Sequence, residues 1–253
     1  MRAKTPKLLF FLIIFFSALP LVTAWGFKRL SDAKAPGQES QESVRERLRK
    51  QFPIVDSSES EPADAKERAK RQKRSKRYNE RLAKVGPQLV ETTEGYHWPA
   101  DFKPIPASAS DAVLVGTIAQ ARAHLSEDKN SVYSEFTVKI SEVFKSDVGF
   151  PLNVGDSVTL ERKGGRVRYS SGQISWMSVA GQGLPQLNGQ YVLFLKKTDE
   201  DGLFDILTGY QIVEGRIQPL DYSPGVVGFQ RYSGADAISF MNEVRSSIVT
   251  AQP

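Results

Sequence analysis

The chain has 253 residues, no cysteine, two histidines, and 34 Lys and Arg against 29 Asp and Glu, for a formal net charge of +5. Without cysteine it carries no disulfide, no thiolate nucleophile and no Cys/His zinc site. The charge is unevenly placed: residues 1–96 hold 20 basic and 12 acidic side chains, residues 97–253 hold 14 and 17. The basic balance therefore belongs to the first part and does not mark the second as a nucleic-acid binder.

Residues 1–24 read as a secretory signal peptide or an uncleaved signal anchor. Arg2, Lys4 and Lys7 precede an unbroken apolar run from Leu8 to Phe16, and Pro20 and the small residues Val22 and Ala24 come before Trp25. A basic region, an apolar region and small residues at a cleavage position make a signal peptide. The apolar run is also near the lower length limit of a spanning helix, with Trp25 placed for an interface. Both readings put the remainder outside the cytoplasm: secreted, periplasmic or membrane-anchored.

Residues 25–96 have few large apolar side chains and many charges, punctuated by Pro36, Pro53, Pro62 and Pro87. Such a segment is expected to be a flexible or partly helical linker. Helix-forming composition spans Glu39–Phe52 and Asp64–Val85, with Pro62 just before the second piece and Gly86 just after it. That second piece carries Lys70, Arg71, Lys73, Arg74, Lys76 and Arg77 within eight positions. This basic stripe is either a contact for anionic lipid, polysaccharide or nucleic acid, or a solvated spacer.

Residues 97–232 are expected to form a mainly β domain, a small OB-like or Greek-key barrel. The anchor is Val132–Phe144, where Val132, Phe136, Val138, Ile140 and Phe144 alternate with Tyr133, Glu135, Thr137, Lys139 and Ser141. Period 2 predicts a strand with one buried face, the Tyr133 set facing outward. Ala112–Arg122 is a second strand that pairs with it as a hairpin across Ser126–Asn130, and Gly116 inside it marks a bulge or a close backbone approach. Ser157–Lys163 alternates, with Val158 and Leu160 facing one way, and Gly164-Gly165 is expected to turn it back into Val167 and Tyr169. Gln173–Val179 is a short strand carrying Ile174 and Trp176. Tyr191–Leu195 is apolar at every position and predicts a central strand covered on both faces. Asp199–Gly202 reverses the chain into Leu203–Leu207, and Glu214-Gly215 joins Tyr210–Val213 to Arg216–Leu220. Many short strands at regular spacing favour a closed barrel, because closure removes exposed edges. Residues 233–250 change period: Ser233 is expected as N-cap with Asp236 at N3, and Ala237, Phe240, Met241, Val244 and Ile248 share one helical face that packs on the barrel.

Asp111–Thr117, Phe136–Lys145 and Leu187–Leu195 resemble the netrin/TIMP-like module over roughly residues 109–220. The resemblance implies an OB-type barrel and a bent toward extracellular binding. Members of that family that inhibit metalloproteases use an N-terminal cysteine at the catalytic zinc, and that mechanism is not carried over to a chain without cysteine.

Motifs for chemistry are sparse. Ser126–Lys129 has S-x-x-K spacing but sits in an all-polar loop; the glycines at 164, 165, 181 and 183 lack the Lys-Ser/Thr of a phosphate loop; Asp199, Asp201 and Asp205 lack the rest of an EF-hand. His97 and His124 have no sequence-local ligand partner. No catalytic residue, cofactor or metal site is assigned. Arg162, Lys163, Arg166 and Arg168 with Tyr169 and Trp176 form the basic and aromatic cluster of the folded part, a candidate ligand patch of the kind OB barrels use for single strands or oligosaccharides. The expected function is an exported, non-enzymatic binding module, membrane-tethered if the first segment stays uncleaved, whose partner is an extracytoplasmic protein or polysaccharide. An extracytoplasmic hydrolase or transferase with carboxylates brought together only by the fold, and a structural cell-envelope component, are the alternatives.

Overall fold

The computed structural model describes residues 51–79, 91–96, 98–222 and 228–251. The signal segment, linker residues 25–50 and 80–90, and His97 lie outside the described residues. In chain order the elements are β1 (Ile54–Asp56), α1 (Ala65–Arg77), β2 (Glu91–Glu94), β3 (Ala112–Leu125), β4 (Val132–Lys145), β5 (Ser157–Lys163), β6 (Gly165–Arg168), β7 (Ile174–Val179), β8 (Gln190–Lys197), β9 (Leu203–Val213), β10 (Arg216–Pro219), a 3₁₀ turn at Phe229–Tyr232 and α2 (Ala237–Ala251). Among the described residues no helix is long and apolar enough to cross a membrane.

Five of the strands close into a barrel in the order β3-β4-β5-β9-β8, with β8 bonded to both β9 and β3. Every neighbour pair is antiparallel except β5 and β9, which run parallel. Numbered within the barrel this is the order 1-2-3-5-4-1, and the fold is a small OB-like barrel. Its interior is filled by alternate residues of each strand, among them Leu114, Ile118, Phe136, Val138, Leu160, Leu193, Leu195 and Phe204, all nearly or fully buried. Each such side chain contributes roughly 1.5–3 kcal/mol by leaving water, enough to hold a core without disulfides.

The all-apolar run Tyr191–Leu195 lies in β8, as its pattern predicts. Tyr191, Leu193 and Leu195 point into the barrel, while Val192 and Phe194 face outward under α2. There Ala237, Phe240, Val244 and Ile248 join Val113, Val115, Tyr210 and Ile217 in a second core. The helix starts later than Ser233: Asp236 accepts from the Ser239 backbone N–H at 2.9 Å and is the capping side chain.

Gly116 sits at a register shift of the β3/β4 hairpin, and a Cβ there would meet Val138 Cγ1 at 2.3 Å. Both expectations for this glycine, a bulge and a close approach, are met. The same shift leaves Ser141 as an extra residue between Ile140, opposite Gly116, and Glu142, opposite Val115, so that Val143 packs on the barrel core and Phe144 on the α2 side. Phe144 thus leaves the face predicted for it, because an extra residue inverts the alternation.

Gly164-Gly165 does not make a hairpin. The two glycines, with φ of 117° and 148°, carry the chain out of the barrel into a second sheet ordered β1-β6-β7-β2, where β6 pairs with β7. In β7 Ser175, Met177, Ser178 and Val179 are buried, and Ile174 and Trp176, which alternate with Ser175 and Met177, stand on the opposite side. The two outer strands of this sheet come from the segment expected as linker: β1 runs parallel to β6 and β2 parallel to β7. Val55 joins Val132, Val167 and Met177 in a third cluster. Residues 51–79 and 91–96 are therefore part of the fold and not a tether, although the helical composition of Asp64 onward is realised in α1.

Candidate functional site

β4 and β5 bury one face in the barrel and present the other outward. On that outer face Glu135 of β4 stands opposite Glu161 of β5, and Glu161 is level with Asp205 of β9. Like charges directly across strands repel, so this row is unfavourable unless cations meet it. Arg122 opposite Glu135 and Lys196 opposite Asp205 flank it on β3 and β8.

The cations come from α1. Its N-terminus is capped by the Asp64 carboxylate, which accepts from Glu67 N–H at 2.9 Å, and its last turn holds Arg74, Lys76 and Arg77. Arg71, Arg74, Ser75 and Tyr78 recur at i, i+3, i+4 and i+7 and form the half-buried or buried side of the segment. Arg74 donates to Glu135 at 3.1 Å and through Nε to Glu200 at 3.0 Å, and lies 3.7 Å from Glu161. Arg77 and the Tyr78 hydroxyl, the latter at 2.9 Å, both donate to Oε2 of Glu161. Arg71 donates to Glu59 and to Nδ1 of His124, each at 2.7 Å. The ring of Tyr78 stacks on Tyr133 at 4.4 Å and 7°. That stack explains why Tyr133, predicted to face outward, is fully buried: α1 covers it.

Burial dominates the protonation of this site. It pushes the fully buried Glu161 carboxyl up to about 7, with Arg77 pulling down and Glu135 pushing up. Oε1 of Glu161 has no hydrogen-bond partner among the described residues. Asp205 is also raised by burial, against the pull of Arg77. Glu200 is lowered, first through its hydrogen bonds from Arg74. His124 falls to about 4 through burial and the charge of Arg71, so it is a neutral acceptor toward that arginine. Beside Glu161 a cavity of about 280 Å³ is lined by Arg77, Tyr78, Glu161, Arg162, Lys163, Asp205 and Ile206. The arrangement can hold a guanidinium or ammonium group, and its central carboxyl can exchange a proton near neutrality.

The six residues of the basic stripe divide by face. Arg71, Arg74 and Arg77 meet the barrel as described, while the better exposed Lys70, Lys73 and Lys76 pair with Glu67, Asp199 and Glu127 at 3.3, 2.9 and 3.5 Å. The predicted ligand patch is split among several places. Arg162 points into the barrel mouth, where it is bonded to Asp221 at 2.7 and 2.8 Å and to the carbonyls of Gly183 and Leu207. Lys163 pairs with Glu94 of β2. Arg166 donates to the Phe52 carbonyl at 2.7 Å, and Arg168 lies 3.6 Å from Asp56. Tyr169 packs against the Val55 cluster, and Trp176 is half-buried on β7 with its indole N–H unpartnered among the described residues. These groups are mostly engaged in holding β1 and β2 to the second sheet and do not form one surface.

Sequence reasoning missed Glu161, Asp205, Glu200, Tyr78 and Tyr133 as members of one site. Alternation alone places Glu135 and Glu161 outward, but their meeting depends on strand register. A scan of the chain against protein-family models finds no match, and a search of the curated proteins finds none either.

Proposed function

We propose that the protein is an exported, non-enzymatic binding module, membrane-tethered if its first segment is retained, whose working surface is the outer face of β4, β5 and β9. The observation that carries this is the row Glu135, Glu161, Asp205, gathered with Glu200 around the guanidinium groups of α1. OB barrels bind ligands on the face of their second and third strands, which here are β4 and β5. A sheet that sets carboxylates side by side there is built to receive positive charge. An OB-like barrel is the fold that the netrin/TIMP-like resemblance implies, and we propose that kinship without that family's cysteine-borne inhibition.

The test is photo-cross-linking of the full-length protein in intact cells, with the reactive residue in place of Lys139, which is exposed on the same outer side of β4. A discrete adduct that is absent when the residue replaces Ser246 on α2 supports the module. Equal or no adducts from the two positions contradict it.

An extracytoplasmic hydrolase or transferase is the second reading. It is favoured by one observation, a carboxyl at about 7 in Glu161 on the same face as the lowered Glu200, the separation expected of an acid and a base. It comes second because Oε2 of Glu161 is already taken by Arg77 and Tyr78.

A further inference from the structure

We propose that this acidic face docks an arginine-bearing helical segment of a partner protein, and that α1 occupies the face in cis as a stand-in for that segment. The inference rests on the binding-module reading and names its class of partner.

The contact is specific to arginine at helical spacing. Arg71, Arg74 and Arg77, at i, i+3 and i+6, each meet a different acceptor set: Glu59 with His124, Glu135 with Glu200, and Glu161. Lys70, Lys73 and Lys76 of the same helix stay at the rim, 54–59% exposed. Guanidinium groups present several donors in a fixed plane, and Arg74 uses its donors on two carboxylates at once. Three of the four helix arginines turn to this face, while the exposed Arg68 donates to the carbonyls of Pro62 and Ala63. A face that takes arginines at this spacing selects a helix with arginines on one side, which points to a protein and away from a polysaccharide.

The occupant is also replaceable. α1 has 13 residues, near the lower limit for a helix stable alone, and Ser75 is its single buried residue. Its ring contact with the barrel is the Tyr78–Tyr133 stack, Asn79 just after it donates to Glu127 and accepts from the Asp128 N–H, and the other contacts are carried by charged side chains. A tethered segment competes at an effective concentration on the order of millimolar, so a partner helix must bind the open face well to displace it. The row of carboxylates weakens the sheet that carries it, and such local conflicts are characteristic of sites kept for function.

The experiment titrates the full-length protein with a fluorescent peptide of residues 64–79 and reads anisotropy. Wild type is compared with Arg71→Ala/Arg74→Ala/Arg77→Ala, which empties the face. The peptide is expected to bind the variant about tenfold or more tightly than wild type, because the competing cis segment is removed. A peptide of the same composition with its arginines moved out of the i, i+3, i+6 register is expected to lose that gain. Equal binding of the two peptides overturns the proposal, as does absence of binding to the variant with its barrel still folded by circular dichroism. If the variant does not fold, hydrogen exchange on wild type decides: faster exchange over Ala65–Arg77 with excess peptide supports the proposal, and unchanged protection overturns it. Failure of the peptide while the Lys139 cross-link still traps a protein removes the arginine-helix partner alone. Failure of both removes the module reading too.

Discussion

The rings of Tyr78 and Tyr133 lie 4.4 Å apart and within 7° of parallel, and this stack is the apolar centre of an otherwise ionic contact between a basic helix and an acidic barrel face. The hydroxyl of Tyr78 is bonded to Glu161, whereas the hydroxyl of Tyr133 is buried with no partner among the described residues. The two therefore respond differently to loss of oxygen. Tyr133→Phe is expected to be neutral or to stabilise by about 1 kcal/mol, since it removes an unsatisfied buried group, and Tyr78→Phe to destabilise by about 1–2 kcal/mol. Urea unfolding of both variants measures the difference.

Glu161 gives the pH dependence its sign. Its carboxyl is raised to about 7 in the folded protein, so the stability it contributes is fully present below the ordinary carboxylate range and is lost as pH rises through about 7. Glu200 acts oppositely: its lowered carboxyl contributes above the ordinary range and loses its contribution in acid. Wild type is expected to show maximal stability on the acid side of neutrality and to lose on the order of 3 kcal/mol through Glu161 by mildly alkaline pH. Glu161→Gln flattens that alkaline slope in thermal melts collected across pH.

Arg162 and Asp221 form a buried pair at the barrel mouth, with side chains 3% and 0% exposed. Asp221→Ala leaves a guanidinium uncompensated and is expected to cost about 3–5 kcal/mol. Replacing both partners together, Arg162→Met with Asp221→Leu, is expected to recover most of that loss, which a double-mutant cycle in urea detects.

Gly116 has no room for a methyl group, because its Cβ would fall 2.3 Å from Val138 Cγ1 and 2.9 Å from the Lys139 carbonyl oxygen. Gly116→Ala is expected to destabilise by about 1–3 kcal/mol through overpacking. Gly95→Ala, where nothing among the described residues lies within 4 Å, is the control and is expected to leave the melting temperature unchanged.

The barrel was legible because alternation survives in a single strand. Val132, Phe136, Val138 and Ile140, and the doubly covered Tyr191–Leu195, announce their burial without reference to anything distant. Phe144 and the glycine pair at 164 and 165 were misplaced because a bulge and a sheet crossing alter direction without altering composition. The site was hidden for a different reason. The side of α1 that meets the barrel reads Arg71, Arg74, Ser75, Tyr78, so a search for apolar periodicity sees a solvated helix where the fold has an interface. Its acidic counterpart is spread over β4, β5, β9 and the turn at Glu200, and only strand register brings those residues together.

Hydrogen exchange over Ala65–Arg77 in the full-length protein tests the central claim most directly, with wild type set beside Glu135→Gln/Glu161→Gln/Glu200→Gln. The helix amides are expected to be protected in wild type and to exchange about tenfold or more faster in the triple variant, with the barrel strands unchanged. Protection of those amides that is the same in both proteins contradicts a helix held by the carboxylates of the barrel face.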